Sequence, residues 1–209
     1  MENNFYIKEK GLLIVISGPS GAGKGTVCKE LLSKYPNLAV SVSATTRDPR
    51  PGEVEGKNYY FITKENFLDM IGNDEFLEYA KVYDNYYGTP SQSVIDMMDE
   101  GIDVILEIDI QGAAQVRSNY PEGIYIFVVP PSFSELRKRI TERGTESEEQ
   151  LNKRMNCAYD EIRNAKNYSY IVINDEVHVA ADKIASIITA EKCRSNRLES
   201  KIDEIIGRS

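Results

Sequence analysis

The sequence predicts an α/β protein: a parallel sheet core flanked by helices, interrupted by a mixed α+β insertion and a charged helical lobe. Three observations carry this. Four near-continuously apolar runs, LLIVIS, DVILEI, IYIFVV and YIVI, have the signature of parallel strands covered on both faces. Helix-like segments lie between and around them: VCKELLSKY, SQSVIDMMDE, QGAAQVRSN, SFSELRKRITERG and VHVAADKIASIITAEK. Strands alternating with helices build a doubly wound sheet that holds ligands at the carboxyl ends of its strands. The third observation is the glycine-rich stretch GPSGAGKGT, residues 18–26, set between the first apolar run and the first helix-like segment.

That stretch begins with the GxxxxGK spacing of a phosphate-binding loop, or P-loop, in the strand-then-helix context such a loop requires. Backbone N–H groups must wrap closely round a phosphate, so the loop has to be poor in side chains. Gly18, Gly21, Gly23 and Gly25 supply the freedom, with Pro19, Ser20 and Ala22 between them. The following helix points its N-terminal dipole at the anion, and Lys24 reaches the terminal phosphates. Gly25 stands directly after the lysine where a hydroxyl residue is usual, which leaves Thr26 as the nearest hydroxyl for a Mg2+ ion.

In chain order, residues 11–40 and 90–136 read as core. Residues 41–89 read as an inserted subdomain, rich in tyrosine, arginine, glycine and proline, with short β-like pieces in NYYFIT and EFLEYAKVY. Residues 137–163 form a highly charged helical pair, a lid, broken at RGTES, where Gly144 can end one helix and Thr145 or Ser147 can cap the next. Residues 164–190 return to the core. Residues 191–209 are a helical extension whose Leu198, Ile202, Ile205 and Ile206 fall at helical spacing. Packing on its own core is the commoner outcome for such a helix; packing on another subunit, making a homo-oligomer, is the other.

At 209 residues the chain is long enough for one domain with a sizeable core. A formal net charge of −8 argues against nucleic acid held along a broad surface, because that binding neutralises many phosphates. Small nucleotides need only a local cluster of cations. The chain has no apolar run long enough to span a bilayer and no signal-peptide pattern, so no membrane partner and a cytoplasmic location are expected. Cys28, Cys157 and Cys193 are odd in number and far apart, which fits neither a disulfide framework nor a metal cluster. His178, the only histidine, lies in the polar segment NDEVH and reads as a surface residue.

In VILEIDIQG, Glu107 and Asp109 are two apart at the end of a strand, so their side chains share one face at the ligand crevice. A carboxylate there can hold Mg2+, usually through water, or it can cap the next helix. In SVSATTRDPRPGEVEGKNYYF, Pro49 and Pro51 stiffen the backbone that presents Arg47 and Arg50 near tyrosine hydroxyls, a good arrangement for a phosphate monoester. The lobe adds Arg137, Lys138, Arg139, Arg143, Lys153 and Arg154, which suit a lid closing over phosphates.

The ordered set GPSGAGKGT, SVSATTRDPRPGEVEGKNYYF, EFLEYA, NYYGTP, LEIDIQG and RGTESEEQLNKR closely resembles guanylate kinase, over residues 12–176. The resemblance implies Mg2+-dependent transfer of the ATP γ-phosphoryl group to GMP, on a core sheet with a GMP-binding subdomain and an arginine-bearing lid. It puts Ser43, Arg47, Arg50, Tyr59 and Tyr87 around the GMP phosphate, and Glu78 and Thr89 at the guanine base. Asp109 becomes the better candidate for Mg2+, with Glu107 shared with the guanine side. Arg139, Arg143 and Arg154 match the lid arginines on the transferring group, and Asn174 lies near the adenine of ATP. A second monophosphate kinase type would lack the Glu78 and Thr89 pairing. A non-catalytic guanylate-kinase-like module that binds phosphopeptides would have lost the phosphate loop and lid, and a nucleic-acid-dependent ATPase is disfavoured by charge.

Overall fold

The computed structural model of the chain describes residues 9–142 and 147–207. In chain order its elements are β1 (Leu13–Ser17), α1 (Lys24–Lys34), β2 (Leu38–Val40), β3 (Ala44–Thr45), β4 (Tyr60–Phe61) and α2 (Lys64–Gly72). There follow β5 (Phe76–Val82), β6 (Asn85–Pro90), α3 (Ser91–Asp99), β7 (Asp103–Glu107), α4 (Ile110–Asn119) and β8 (Ile124–Val129). The chain then runs through α5 (Phe133–Glu142), α6 (Glu148–Arg163), β9 (Tyr170–Ile173), α7 (Val177–Lys192) and α8 (Glu199–Ile205).

The core sheet is parallel, in the order β2-β7-β1-β8-β9. β1 lies at its centre, and every one of its residues is buried. Alternate residues serve opposite faces, as a period of two requires. Ile14 and Ile16 pack with Val27, Leu31, Ile184 and Ile188 beneath α1 and α7. Leu13 and Val15 pack with Val94, Met98, Ala113 and Val116 beneath α3 and α4. Double coverage is why the strand sequences read as continuous apolar runs rather than alternating ones.

The insertion builds a second sheet in the order β4-β3-β6-β5, with Phe67 and Phe76 stacked at 4.4 Å in its own small core. The charged lobe also has a core, Leu136, Ile140, Leu151, Met155 and Ala158. Ser147 caps α6 in a reciprocal box with Gln150, a contact of about 1 kcal/mol. Thr145, the other candidate cap, lies outside the described residues, as does Gly144.

One expectation needs correction. The apolar stripe of the C-terminal extension is not buried on the core: Ile202, Ile205 and Ile206 are 50%, 74% and 55% exposed. The short strand β2 went unread because three half-buried residues at a sheet edge carry no periodic signature. His178 is a surface residue, as expected, 3.4 Å from Glu176. Among the described residues no helix is long and apolar enough to cross a membrane.

The sheet is tied at its amino end by Asp103, which is 3% exposed. Its Oδ1 accepts from the Leu12 N–H at 2.9 Å, and its Oδ2 meets Lys192 Nζ at 2.6 Å, joining β7, the start of β1 and the end of α7. Replacing Asp103 with alanine strands a buried N–H and an ammonium group. We expect Asp103→Ala to lose about 2–3 kcal/mol in urea unfolding, less than a fully buried pair because Lys192 is partly exposed. A loss under about 1 kcal/mol would show that the tie is not a structural one.

Candidate active site

The phosphate loop follows β1 and leads into α1. At Gly18, φ is 151°, and a Cβ built there would lie 2.1 Å from the Val128 carbonyl oxygen of the neighbouring strand, so no other residue fits. Gly23, with φ 88°, is the N-cap of α1 and makes no side-chain cap, which leaves the helix N-terminus open to an anion. Gly25 differs from the sequence reading: it is helical and has no need of glycine's backbone freedom. A Cβ there would meet the Glu107 carboxylate oxygens at 3.4 and 3.5 Å, an ordinary van der Waals contact. Lys24 folds over its own loop, donating to the Gly18 carbonyl at 2.6 Å and the Pro19 carbonyl at 3.3 Å. Burial lowers the pKa of its ammonium group, opposed chiefly by the charge of Glu107.

The two acids at the end of β7 have separate surroundings. Glu107 faces the loop. Asp109 caps α4: its Oδ1 accepts from Gln111 N–H at 2.9 Å and Gly112 N–H at 2.8 Å. The capping use of this pair therefore holds for Asp109, with Oδ2 left outside the cap. Among the described residues there is no cluster of three or more acidic, histidine or cysteine groups able to hold a metal alone. One or two carboxylates beside a phosphate loop do fit Mg2+ carried in by a nucleotide, since that ion keeps most of its other ligands as water and phosphate.

Thr26 is exposed and lines a cavity of about 320 Å³ with Gly21, Gly23, Arg139, Asn174 and Val177. Asn174 is 2% exposed; its Nδ2 donates to the Ala22 carbonyl at 2.8 Å, and its buried Oδ1 has no hydrogen-bond partner among the described residues. Arg139 sits on this side of the loop. Its Nε bonds Glu135 at 3.0 Å and one terminal nitrogen donates to the Asn174 carbonyl at 3.0 Å. Arg154, by contrast, reaches the loop itself and donates to Ser20 Oγ at 2.7 Å. Arg143 lies outside the described residues. Glu161, which the sequence reading passed over, lines a further cavity with Ser20 and Arg154. Burial pushes its carboxyl up, against the pull of Lys24 and the Ser20 N–H. Nothing in the sequence separates it from the solvated acids of the same helix.

In the insertion, Arg47, Tyr59 and Tyr87 come together: the guanidinium lies 5.1 Å from the Tyr59 ring centre, and the two tyrosine rings meet edge to face at 6.0 Å. Glu53, also missed, orients Arg47 through two bonds of 2.7 Å and accepts from the Arg50 N–H at 2.8 Å. Those charge-assisted bonds hold its carboxyl down at about 2, the Arg47 side chain contributing most. The Arg50 side chain is exposed, and Ser43 is half-buried, its carbonyl accepting from Tyr60 N–H at 2.9 Å. Glu78 and Thr89 are paired in register across β5 and β6, and Thr89 Oγ1 donates to Glu78 Oε1 at 2.7 Å. Both are buried, and desolvation raises the pKa of Glu78.

A family model described as guanylate kinase matches residues 10–191. The guanylate kinase of Clostridium tetani is 63% identical over 93% of this chain and 93% of its own length. That of Caldanaerobacter subterraneus subsp. tengcongensis is 60% identical, covering 91% of this chain and 93% of its own. The crystal structure of guanylate kinase from Anaplasma phagocytophilum superposes with a TM-score of 0.74 at 35% identity, over 97% of this chain and 98% of that one. With a phosphate loop, a buried Glu78–Thr89 pair and these likenesses along nearly its whole length, the chain belongs to the guanylate kinase family.

Proposed function

We propose that this chain transfers the γ-phosphoryl group of ATP to GMP, giving ADP and GDP, and that residues 41–89 bind GMP while residues 137–163 act as the lid. The buried Glu78–Thr89 pair carries the choice of acceptor. Guanine offers donors at N1 and its 2-amino group, which a carboxylate accepts, and an acceptor at O6, which a hydroxyl meets. Thr89 has a single hydroxyl proton, now given to Glu78. The donors of the base replace it on the carboxylate and free it for O6. Adenine lacks that donor edge and would leave the buried carboxylate with Thr89 alone.

Arg47, preoriented by Glu53, holds the GMP phosphate with Tyr59 and Tyr87, and Arg50 and Ser43 border the same site. ATP takes the phosphate loop, residues 18–26, with its base toward Asn174, which borders the cavity beside Thr26. The acceptor oxygen of GMP is largely ionised near neutral pH, its second pKa being about 6, so no general base is needed. The barrier the protein can lower is the repulsion between two polyanions, and Lys24, Arg47 and Arg154 offset it. Glu107 beside the loop, with Asp109, would hold the Mg2+ of the nucleotide, which supplies charge neutralisation on the phosphates. Glu107 is the candidate nearer the loop, since one of the two Asp109 carboxylate oxygens is taken by its cap.

Steady-state assays of ADP release test these roles. Lys24→Ala should lower kcat roughly 10³-fold; a rate near that of the parent would remove the lysine from the mechanism. Glu78→Gln, which faces guanine donors with an amide, should raise the KM for GMP by about 10- to 100-fold and leave the KM for ATP unchanged. Equal losses for both nucleotides would contradict base recognition by Glu78.

A further inference from the structure

β5, which carries Glu78, is the edge strand of its sheet, so one side of it has no neighbouring strand. On that side lies α4 of the core. The Gln115 side chain occupies the place of a missing strand: its Oε1 accepts from the Tyr79 N–H at 3.1 Å and its Nε2 donates to the Tyr79 carbonyl at 3.0 Å. Both backbone groups of the residue next to Glu78 are thereby satisfied by one amide, which presents a donor and an acceptor side by side. One helical turn earlier, Gly112 lies directly against the Glu78 carboxylate. A Cβ at Gly112 would be 3.0 Å from Glu78 Oε2 and 3.4 Å from both Cδ and Cγ, closer than the carboxylate can tolerate in place. Gly112 has an ordinary helical backbone and no positive φ, so its glycine serves this contact and not the chain path.

We propose that Gly112 and Gln115 are positioning residues for guanine selectivity: α4 holds β5 by the Gln115 amide and leaves at Gly112 the space in which the Glu78 carboxylate faces the base. Neither residue touches the nucleotide. The Asp109 cap belongs to the same device, because it fixes the Gly112 N–H at 2.8 Å and with it the first turn that Glu78 packs on. The inference rests on the reading of Glu78 as the group that accepts from guanine.

Two variants separate positioning from simple support of the fold. Alanine in place of a helical glycine ordinarily stabilises, so Gly112→Ala should leave the thermal midpoint unchanged or raised while the KM for GMP rises about tenfold. Gln115→Met keeps the length of the side chain and removes both hydrogen bonds; it should raise the KM for GMP by a similar, about tenfold, factor. In both variants kcat at saturating GMP and the KM for ATP should stay within about twofold of the parent. Parental KM for GMP in both, or parallel losses for ATP and GMP, would overturn the proposal. Glu78→Gln, measured alongside, tells the two levels apart: if it alone loses GMP, Gly112 and Gln115 do not position it, and if it too binds GMP normally, the reading of Glu78 falls and this inference with it.

Discussion

The structure depends on one close approach, the passage of the backbone at Gly18 past the Val128 carbonyl of β8, where a Cβ would sit at 2.1 Å. Because β1 is central in the sheet, the chain leaving it must turn sharply between neighbouring strands and start α1 on top of the crevice. The direction of α1 then aims its open N-terminus at the ligand. Asn174, arriving from the end of β9, seals the far side of the loop through the Ala22 carbonyl and sits so near that even a Cβ at Gly23 would lie 2.4 Å from it. The loop is therefore held from two strands, and its shape exists before any phosphate arrives.

An acidic protein that binds two polyanions has to concentrate its cations and keep them aimed. Among the described residues four of them are held by acceptors: Lys24 by its own loop carbonyls, Arg47 by Glu53, Arg139 by Glu135 and the Asn174 carbonyl, Arg154 by Ser20. Such bonds cost little to exchange for charge-assisted bonds to phosphate, and they reduce the side-chain entropy lost on binding. The same economy governs the base site, where Thr89 and Glu78 satisfy each other until guanine supplies better-placed groups.

The core strands and flanking helices were legible because burial on both faces writes itself as apolar runs, and the loop because phosphate chemistry allows few residues there. Glycine was read less well. All four loop glycines looked like backbone requirements, yet Gly25 is helical, and a Cβ there would make only ordinary contact with Glu107. Glu53, Glu161, Gly112 and Gln115 were not legible: Glu161, Gly112 and Gln115 act through neighbours distant in sequence, Glu53 through bonds to Arg47 and Arg50 inside a polar loop, and neither spacing nor periodicity marks such contacts. The role of Asp109 as a helix cap was one of two uses its position allowed, and only the geometry of α4 decides that it caps. The exposed stripe of α8 has the spacing of a packed helix, but periodicity names the apolar face without naming what covers it.

The central claim is that phosphate-transfer chemistry and guanine recognition reside in one crevice. Coupled ADP release with Mg2+ and ATP, comparing GMP, AMP, UMP and no acceptor, tests it most directly. The account predicts turnover with GMP and little above the acceptor-free rate with the others, since only guanine pairs with a buried Glu78. Turnover with AMP or UMP equal to that with GMP would contradict it, as would a folded protein that releases no ADP with GMP.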